Sequence, residues 1–371
     1  MKKIIVIGAG ILGASTAYHL ARSGAEVTII DRKDAGQATD AAAGIICPWL
    51  SQRRNKAWYA LAKGGAAYYQ NLVKMLEEDG EQNTGYSQVG AISIHEDKGK
   101  LEKMMERAAA RREDAPEIGD IAMLSREQTT EAFPLLAEEF ASVAISGGAR
   151  VNGRAMRDAL IRGAEKNGAV TIVASAQLEY EQSSVKAVLA DGRCYKADVI
   201  IVTAGAWAGE LFKQLGLELA VTSQKAQIVH LRIQEKETDS WPVVMPPNDQ
   251  YILSFEEGRV VVGATHENEK GFDDRLTAGG LHEVLDKALS VAPGLHDGEF
   301  LEARVGYRPY TPGFLPVIGP VPGFDNLLFA NGLGASGLTA GPFLGSELAK
   351  LALGERNSID LKLYEVSQAI V

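Results

Sequence analysis

Apolar and polar positions alternate along this chain in two rhythms, and the change from one to the other marks out its elements. Ile4 to Ile7 is a short unbroken apolar run that stops at Gly8-x-Gly10-x-x-Gly13, and Ala14 to Arg22 then carries good helix formers ended by Gly24. Val27 to Ile30 follows as a second buried strand closed by Asp31. Between Lys56 and Glu78, Trp58, Leu61, Tyr69, Leu72 and Leu76 recur at helical spacing with polar residues between them. Residues 86 to 144 read as a short strand from Gly90 to His95, a charged helix from Asp97 to Glu113, and a segment ending near Pro134.

The pattern of the opening then resumes. A helix over Arg157 to Asn167, a strand over Val170 to Val173 and a hairpin around Asp191-Gly192 lead to a buried strand over Asp198 to Val202. That strand ends in the small-residue turn Thr203-Ala204-Gly205-Ala206-Trp207. From Ala220 to Glu302, alternation and turn signals predict a mostly antiparallel sheet. Its strands cover Ala226 to Ile233, Gln250 to Phe255 and Arg259 to Gly263, with a helix over Ala278 to Val291. The chain closes with a strand over Leu327 to Ala330, a glycine-rich stretch and a helix from Pro342 to Leu353.

These elements predict an α/β protein of two lobes. A Rossmann-like dinucleotide-binding domain is assembled from residues 1–85, 145–219 and 303–371. An α+β substrate domain is inserted as residues 86–144 and 220–302. In the opening strand–turn–helix, the first glycine allows the tight turn, the second allows backbone to approach a pyrophosphate, and the third allows helix and strand to pack closely. The amides and dipole at the helix start favour an anion. Asp31 stands at the end of the second strand, where such folds hold a ribose.

Composition narrows the partners. With 371 residues, 46% hydrophobic and 23% charged, the chain can bury a large core. Its net charge of −10 argues against nucleic acid or an anionic membrane and for small molecules. No stretch has the roughly 18 unbroken apolar residues of a membrane span, and the spaced glycines, His19 and Arg22 do not suit a secretory signal. The two cysteines, Cys47 and Cys194, lie far apart, which fits a reducing, cytoplasmic setting better than a disulfide framework. Neither they nor the six histidines have metal-ligand spacing.

Two further stretches carry candidate chemistry. Gly332 to Thr339 precedes a helix, so its amides can face an electron-rich group, or it is a packing turn. In Arg304-Val305-Gly306-Tyr307-Arg308-Pro309, Arg308 can clamp a carboxylate through two parallel hydrogen bonds, or form a surface ion pair. The stretch Gly36 to Ile45 is rich in small residues, which suits either close approach to a long flat ligand or a short helix start.

Taken together, Gly8-x-Gly10-x-x-Gly13, Asp31-Arg32, Ala41-Ala42-Ala43-Gly44, Thr203 to Trp207, Gly306-x-Arg308-Pro309 and Gly332 to Thr339 resemble the D-amino-acid oxidase superfamily over essentially the whole chain. Within it, the chain is similar to bacterial glycine oxidases, sarcosine oxidases and D-amino-acid dehydrogenases. The resemblance implies an oxidoreductase with bound FAD. It places Gly8, Gly10, Ile11, Leu12 and Gly13 on the pyrophosphate and Asp31, with Arg32, at the adenosine ribose. It sets Ala38, Thr39, Ala43, Gly44 and Ile45 along phosphate and ring, Gly205 and Trp207 beside the cofactor, and Leu333, Gly334, Ala335, Ser336, Gly337, Leu338 and Thr339 at the pyrimidine end.

The resemblance also implies a substrate carboxylate on Arg308, with Tyr251 and His266 as pocket side chains that are otherwise packing residues. Three departures stand out. Ala335 replaces a second arginine of glycine oxidases, Gln177 replaces an apolar residue at the adenine, and no cysteine lies near the C-terminal loop to attach a flavin covalently. The expected reaction is FAD-dependent oxidation of a small amino acid or secondary amine, of the glycine, sarcosine, D-amino acid or proline type, to an imine. A nicotinamide-dependent dehydrogenase and a non-catalytic flavoprotein are the alternatives. The electron acceptor and the oligomeric state, a homo-oligomer included, stay open.

Overall fold

The computed structural model describes residues 1–371. A six-stranded sheet frames the first lobe in the order Val317–Pro320, Leu327–Asn331, Val199–Val202, Lys3–Ile7, Glu26–Asp31 and Val170–Val173. All neighbours run parallel except Val317–Pro320 against Leu327–Asn331. Unbroken apolar runs such as Ile4 to Ile7 are what a parallel sheet covered on both faces requires. In the register, Ile7 stands opposite both Val202 and Ile30, so Gly8, Thr203 and Asp31 emerge side by side at one edge. Open α/β sheets bind ligands at that carboxyl edge.

One face of this sheet is covered by helices Ile11–Arg22, Gly153–Lys166, Gly337–Leu353 and Lys56–Glu78, which pack on one another. Close packing is paid for in side-chain size: a Cβ on Gly345 would sit 2.7 Å from that of Ser15. The other face carries a small sheet of Gln177–Glu181, Ser184–Ala190 and Arg193–Tyr195 together with helix Ala208–Gln214. Phe212 of that helix meets Phe329 with ring centroids 4.6 Å apart.

The second lobe is an eight-stranded sheet in the order Glu299–Tyr310, Thr222–Arg232, Arg259–Gly263, Tyr251–Ser254, Val243–Met245, Ala91–His95, Ala141–Ile145 and Ile121–Leu124. Only Val243–Met245 and Ala91–His95 pair in parallel. Helix Ala278–Val291 covers one face through Val284, Ala288 and Val291. Glu299–Tyr310 pairs with Thr222–Arg232 from end to end, across residue 303, where the sequence reading changes lobes. Pro309 fits this strand because it is an edge, where a missing amide breaks no ladder.

The architecture is the expected one, and several local readings differ, among them the strand expected from Ala226, which begins at Thr222, and Glu299–Tyr310, which the sequence does not single out as a strand. Ile121–Leu124 and Ala141–Ile145 are strands that the sequence does not single out, because they are short and nearly all apolar, without the alternation that marks a half-buried strand. The helix expected from Arg157 begins at Gly153, where Asn152 caps it by accepting from the Ala155 amide at 3.2 Å. The final helix begins at Gly337 rather than Pro342, so Gly337, Leu338 and Thr339 form its first turn and Pro342 lies inside it. The carbonyl of Leu338, which the proline cannot satisfy, accepts instead from the Tyr69 hydroxyl at 2.5 Å.

Candidate active site

A cavity of about 580 Å³ lies between the carboxyl edge of the six-stranded sheet and one face of the eight-stranded sheet. Every candidate residue named from the sequence lines it except Gly13 and Ser336. Gly13 packs instead: a Cβ there would lie 1.8 Å from the carbonyl oxygen of Gly8. Ser336 turns away, and its hydroxyl accepts from the Trp58 indole at 2.9 Å.

The glycine turn is held by short-range contacts. Gly8 has φ +101°, and a Cβ there would meet the Thr203 carbonyl carbon at 2.7 Å, so neither a side chain nor ordinary backbone geometry fits. Thr203 Oγ1 donates to the Gly8 carbonyl at 2.8 Å, and Thr39 Oγ1 accepts from the Ile11 amide at 3.0 Å. Neither helix Ile11–Arg22 nor helix Gly337–Leu353 has a capping hydrogen bond from the side chain of its own N-cap residue, Gly10 or Ser336, and at the first of them Thr39 takes one amide. Both turn a positive dipole end to the cavity.

Asp31 is an organiser of this turn as well as a lining residue. Its Oδ2 accepts from the Ala9 amide at 2.6 Å, and its Oδ1 accepts from the Lys33 amide at 2.6 Å and the Gln37 amide nitrogen at 2.9 Å. Arg32 is bound on both sides, to Asp34 at 2.5 Å and to Glu210 at 2.7 Å, so its charge is already balanced. Gln177 lies beside Gln214, whose side chain accepts from the Leu178 amide at 2.8 Å.

The other half of the cavity is a sheet face. Directly paired residues on antiparallel strands share a face. The pairs Arg308 with Gln224, Gly306 with Ala226, Ile228 with Gly263, and Gly263 with Tyr251 thus carry one surface across four strands. Its small residues leave room beside the Arg308 and Tyr251 side chains. The Arg308 guanidinium donates to Gln224 Oε1 at 3.1 Å and reaches the Thr265 carbonyl at 3.5 Å, and it stands next to the Tyr251 hydroxyl. All these partners are neutral.

Burial raises the Tyr251 hydroxyl pKa, offset in part by Arg308, so the group remains a neutral donor. His266 is lowered, first by burial and then by Arg308, against the pull of Asp249, whose carboxylate is 3.5 Å away. Asp249 is in turn lowered despite its desolvation, because Lys287 binds it at 2.9 Å.

Several lining residues escaped the sequence reading. Ala174 to Ala176 follow a parallel strand in a small-residue turn, the same signal that marked Thr203 to Trp207. Asp249 precedes Tyr251 by two positions, the period of a strand face. Tyr307 comes to the cavity because its edge strand touches Gly36, whose carbonyl accepts from the Tyr307 amide at 2.9 Å.

The sequence profile of the family described as FAD dependent oxidoreductase matches residues 3–351. The chain belongs to this family. The oxidoreductase is 62% identical over 371 residues to the uncharacterised oxidoreductase YurR of Bacillus subtilis (strain 168), with 100% of each chain covered. It is 29% identical to a glycine oxidase of Pseudomonas aeruginosa, covering 98% of both chains. The crystal structure of iminodiacetate oxidase from Chelativorans sp. BNC1 superposes with a TM-score of 0.94 at 45% identity, covering 98% of each chain.

FAD is accordingly the cofactor, and the residues present fit it. Gly8 and Gly13 leave no room for a side chain, two helix starts turn their positive ends to one cavity, and Asp31 is fixed at the strand end. The nicotinamide alternative is thereby removed. No helix of the chain is long and apolar enough to cross a membrane.

Proposed function

We propose that this oxidoreductase oxidises a small amine bearing a carboxylate, a secondary amine of the N-carboxymethyl type or a small amino acid, to the imine. The observation that carries this reading is Arg308. Its guanidinium points into the cavity with only neutral acceptors around it, Gln224 Oε1 and the Thr265 carbonyl. A confined cation without a counter-ion is an anion site in waiting. The likeness to iminodiacetate oxidase and glycine oxidases supports the same class.

When bound, FAD supplies the acceptor for the electron pair and hydrogen lost from the α-carbon. The chain's own residues position the substrate. Arg308 binds the carboxylate and so fixes the α-carbon, while the Tyr251 hydroxyl donates to the same carboxylate. Gly306, Ala226 and Gly263 keep the sheet face low enough for a flat group to lie against it. The lowered His266 stays neutral near pH 7 and adds no second charge beside Arg308. With Ala335 in place of a second arginine, one guanidinium carries the recognition alone.

Under this proposal FAD is held non-covalently: Cys47 is buried in the core and Cys194 is exposed on the small sheet, and neither lines the cavity. The lobe division by residue number and a cytoplasmic location belong to the same proposal. The test is anaerobic flavin bleaching by iminodiacetate, sarcosine, glycine, L-proline and paired D- and L-amino acids, beside their decarboxylated amines. Carboxylated amines should bleach the flavin and the decarboxylated ones should not. Bleaching by neither group would leave a non-catalytic flavoprotein, and admitting oxygen afterwards identifies whether it is the acceptor.

A further inference from the structure

A second hollow of about 450 Å³ shares no residue with the cofactor cavity. Five of its eight lining residues are cations: Arg53, Arg54, Lys56, Arg107 and Arg111. None is ion-paired. Asp114, the acid that acts on Arg111, is held by Lys63 at 2.7 Å, and Glu117 acts on Tyr59 in the hollow's wall. Such a cluster is costly by mutual repulsion, and it stands out on a chain whose net charge is −10.

Two of the cations are fixed in place. Arg53 lies over the Trp58 ring at 4.6 Å and donates to the Phe314 carbonyl. Arg111 lies over the Tyr59 ring at 4.4 Å and donates to the carbonyls of Trp49 at 2.5 Å and Ser51 at 2.8 Å. The unsatisfied donors are then Arg107 Nε and the Tyr59 hydroxyl, both cut off from water with no hydrogen-bond partner. A buried donor without an acceptor costs free energy that a bound oxygen acceptor would recover. Helix Lys56–Glu78 also begins here, with Asn55 as its cap, and adds its positive end.

We propose that this hollow binds a small multivalent oxyanion, with Arg107 and Tyr59 as its inner donors and Arg54 and Lys56 closing over it. Neither the FAD assignment nor the amine reading assigns a ligand here. The volume exceeds what a single monovalent ion fills, and the charge count calls for more than one negative charge.

The test is calorimetric titration of the FAD-loaded enzyme with pyrophosphate and with citrate, against sodium chloride at matched ionic strength. Saturable binding of one equivalent is expected from at least one of them. Saturation by pyrophosphate alone identifies a phosphate-type ligand, and by citrate alone a polycarboxylate. Arg107→Gln should weaken binding about tenfold or more, the loss of one charge-assisted hydrogen bond. Arg54→Gln, on an exposed side chain, should weaken it less, with flavin absorbance and amine turnover unchanged.

Heat no greater than that of chloride overturns the proposal, as does equal affinity in both variants. Should Arg107→Gln lose its flavin, unchanged affinity in Arg54→Gln is by itself sufficient to overturn it. Loss of binding in Arg308→Ala would also overturn it, by placing the anion in the main cavity.

Discussion

The two halves of the cofactor cavity are built on different principles. The half around Gly8, Thr39 and Asp31 is mostly backbone. Its polar contacts join residues at the ends of neighbouring parallel strands, as when Asp31 takes the Ala9 amide at 2.6 Å. The half around Arg308 and Tyr251 is made of side chains on a sheet face, assembled from strands at Thr222–Arg232, Tyr251–Ser254, Arg259–Gly263 and Glu299–Tyr310. The first half can tolerate little change in shape and, on the proposed reading, holds the cofactor. The second can change chemistry one side chain at a time while the sheet register stays put. Binding and selectivity should therefore separate on mutation.

The largest separation is expected at Arg308. Replacement by alanine leaves a substrate carboxylate without its partner at about 3 to 5 kcal/mol, which lowers kcat/KM by on the order of 10² to 10³ or more. Arg308→Lys keeps the charge without the fork and should fall between. FAD content should be normal in both, measured by absorbance after gel filtration. Equal losses for a carboxylated amine and its decarboxylated analogue would show that Arg308 serves the fold and erase the distinction between the halves.

Acid should act on both lobes through buried neutral histidines. Burial holds His19 down at about 4 and His230 down at about 3, against an ordinary value near 6.5. Below pH 6.5 the unfolded chain takes up protons that the folded chain refuses, so stability falls as pH drops from 6.5 towards 4. His19 accepts or donates a hydrogen bond with the Tyr68 hydroxyl at 2.8 Å, and His230 Nδ1 accepts from Arg259 at 3.1 Å. Melting temperatures of His19→Gln and His230→Gln across this range should show a shallower slope than the parent; parallel slopes would place the acid sensitivity elsewhere.

Asp31→Ala should weaken FAD binding about tenfold or more by freeing three donors and loosening the turn, with turnover at saturating FAD nearly unchanged. A collapse of turnover at saturation would mean that the cofactor half reaches into the chemistry. The smallest effect is expected for Tyr69→Phe, which leaves the Leu338 carbonyl unsatisfied at the start of the last helix. A loss of about 1 to 2 kcal/mol in denaturant unfolding is expected. An unchanged midpoint would show that the proline is accommodated without help from the hydroxyl.

The sequence by itself determined the glycine turn and the strand end beside it, because each requirement there is local. A turn with φ +101° at Gly8 needs glycine, a helix start needs exposed amides, and a strand end needs an acid. Apolar runs likewise fixed the parallel strands, and most boundaries fell within a residue or two. The substrate half was readable only through resemblance, since nothing within ten residues of Arg308 says that it faces Tyr251. That meeting depends on pairing: Arg308 opposite Gln224, Ile228 opposite Gly263, and Gly263 opposite Tyr251. A one-residue slip in any of these ladders would turn the side chain to the opposite face. The basic hollow had the same obscurity. Arg107 and Arg111 lie within a charged helix and Arg53 to Lys56 lead into another, and only tertiary packing makes them one wall.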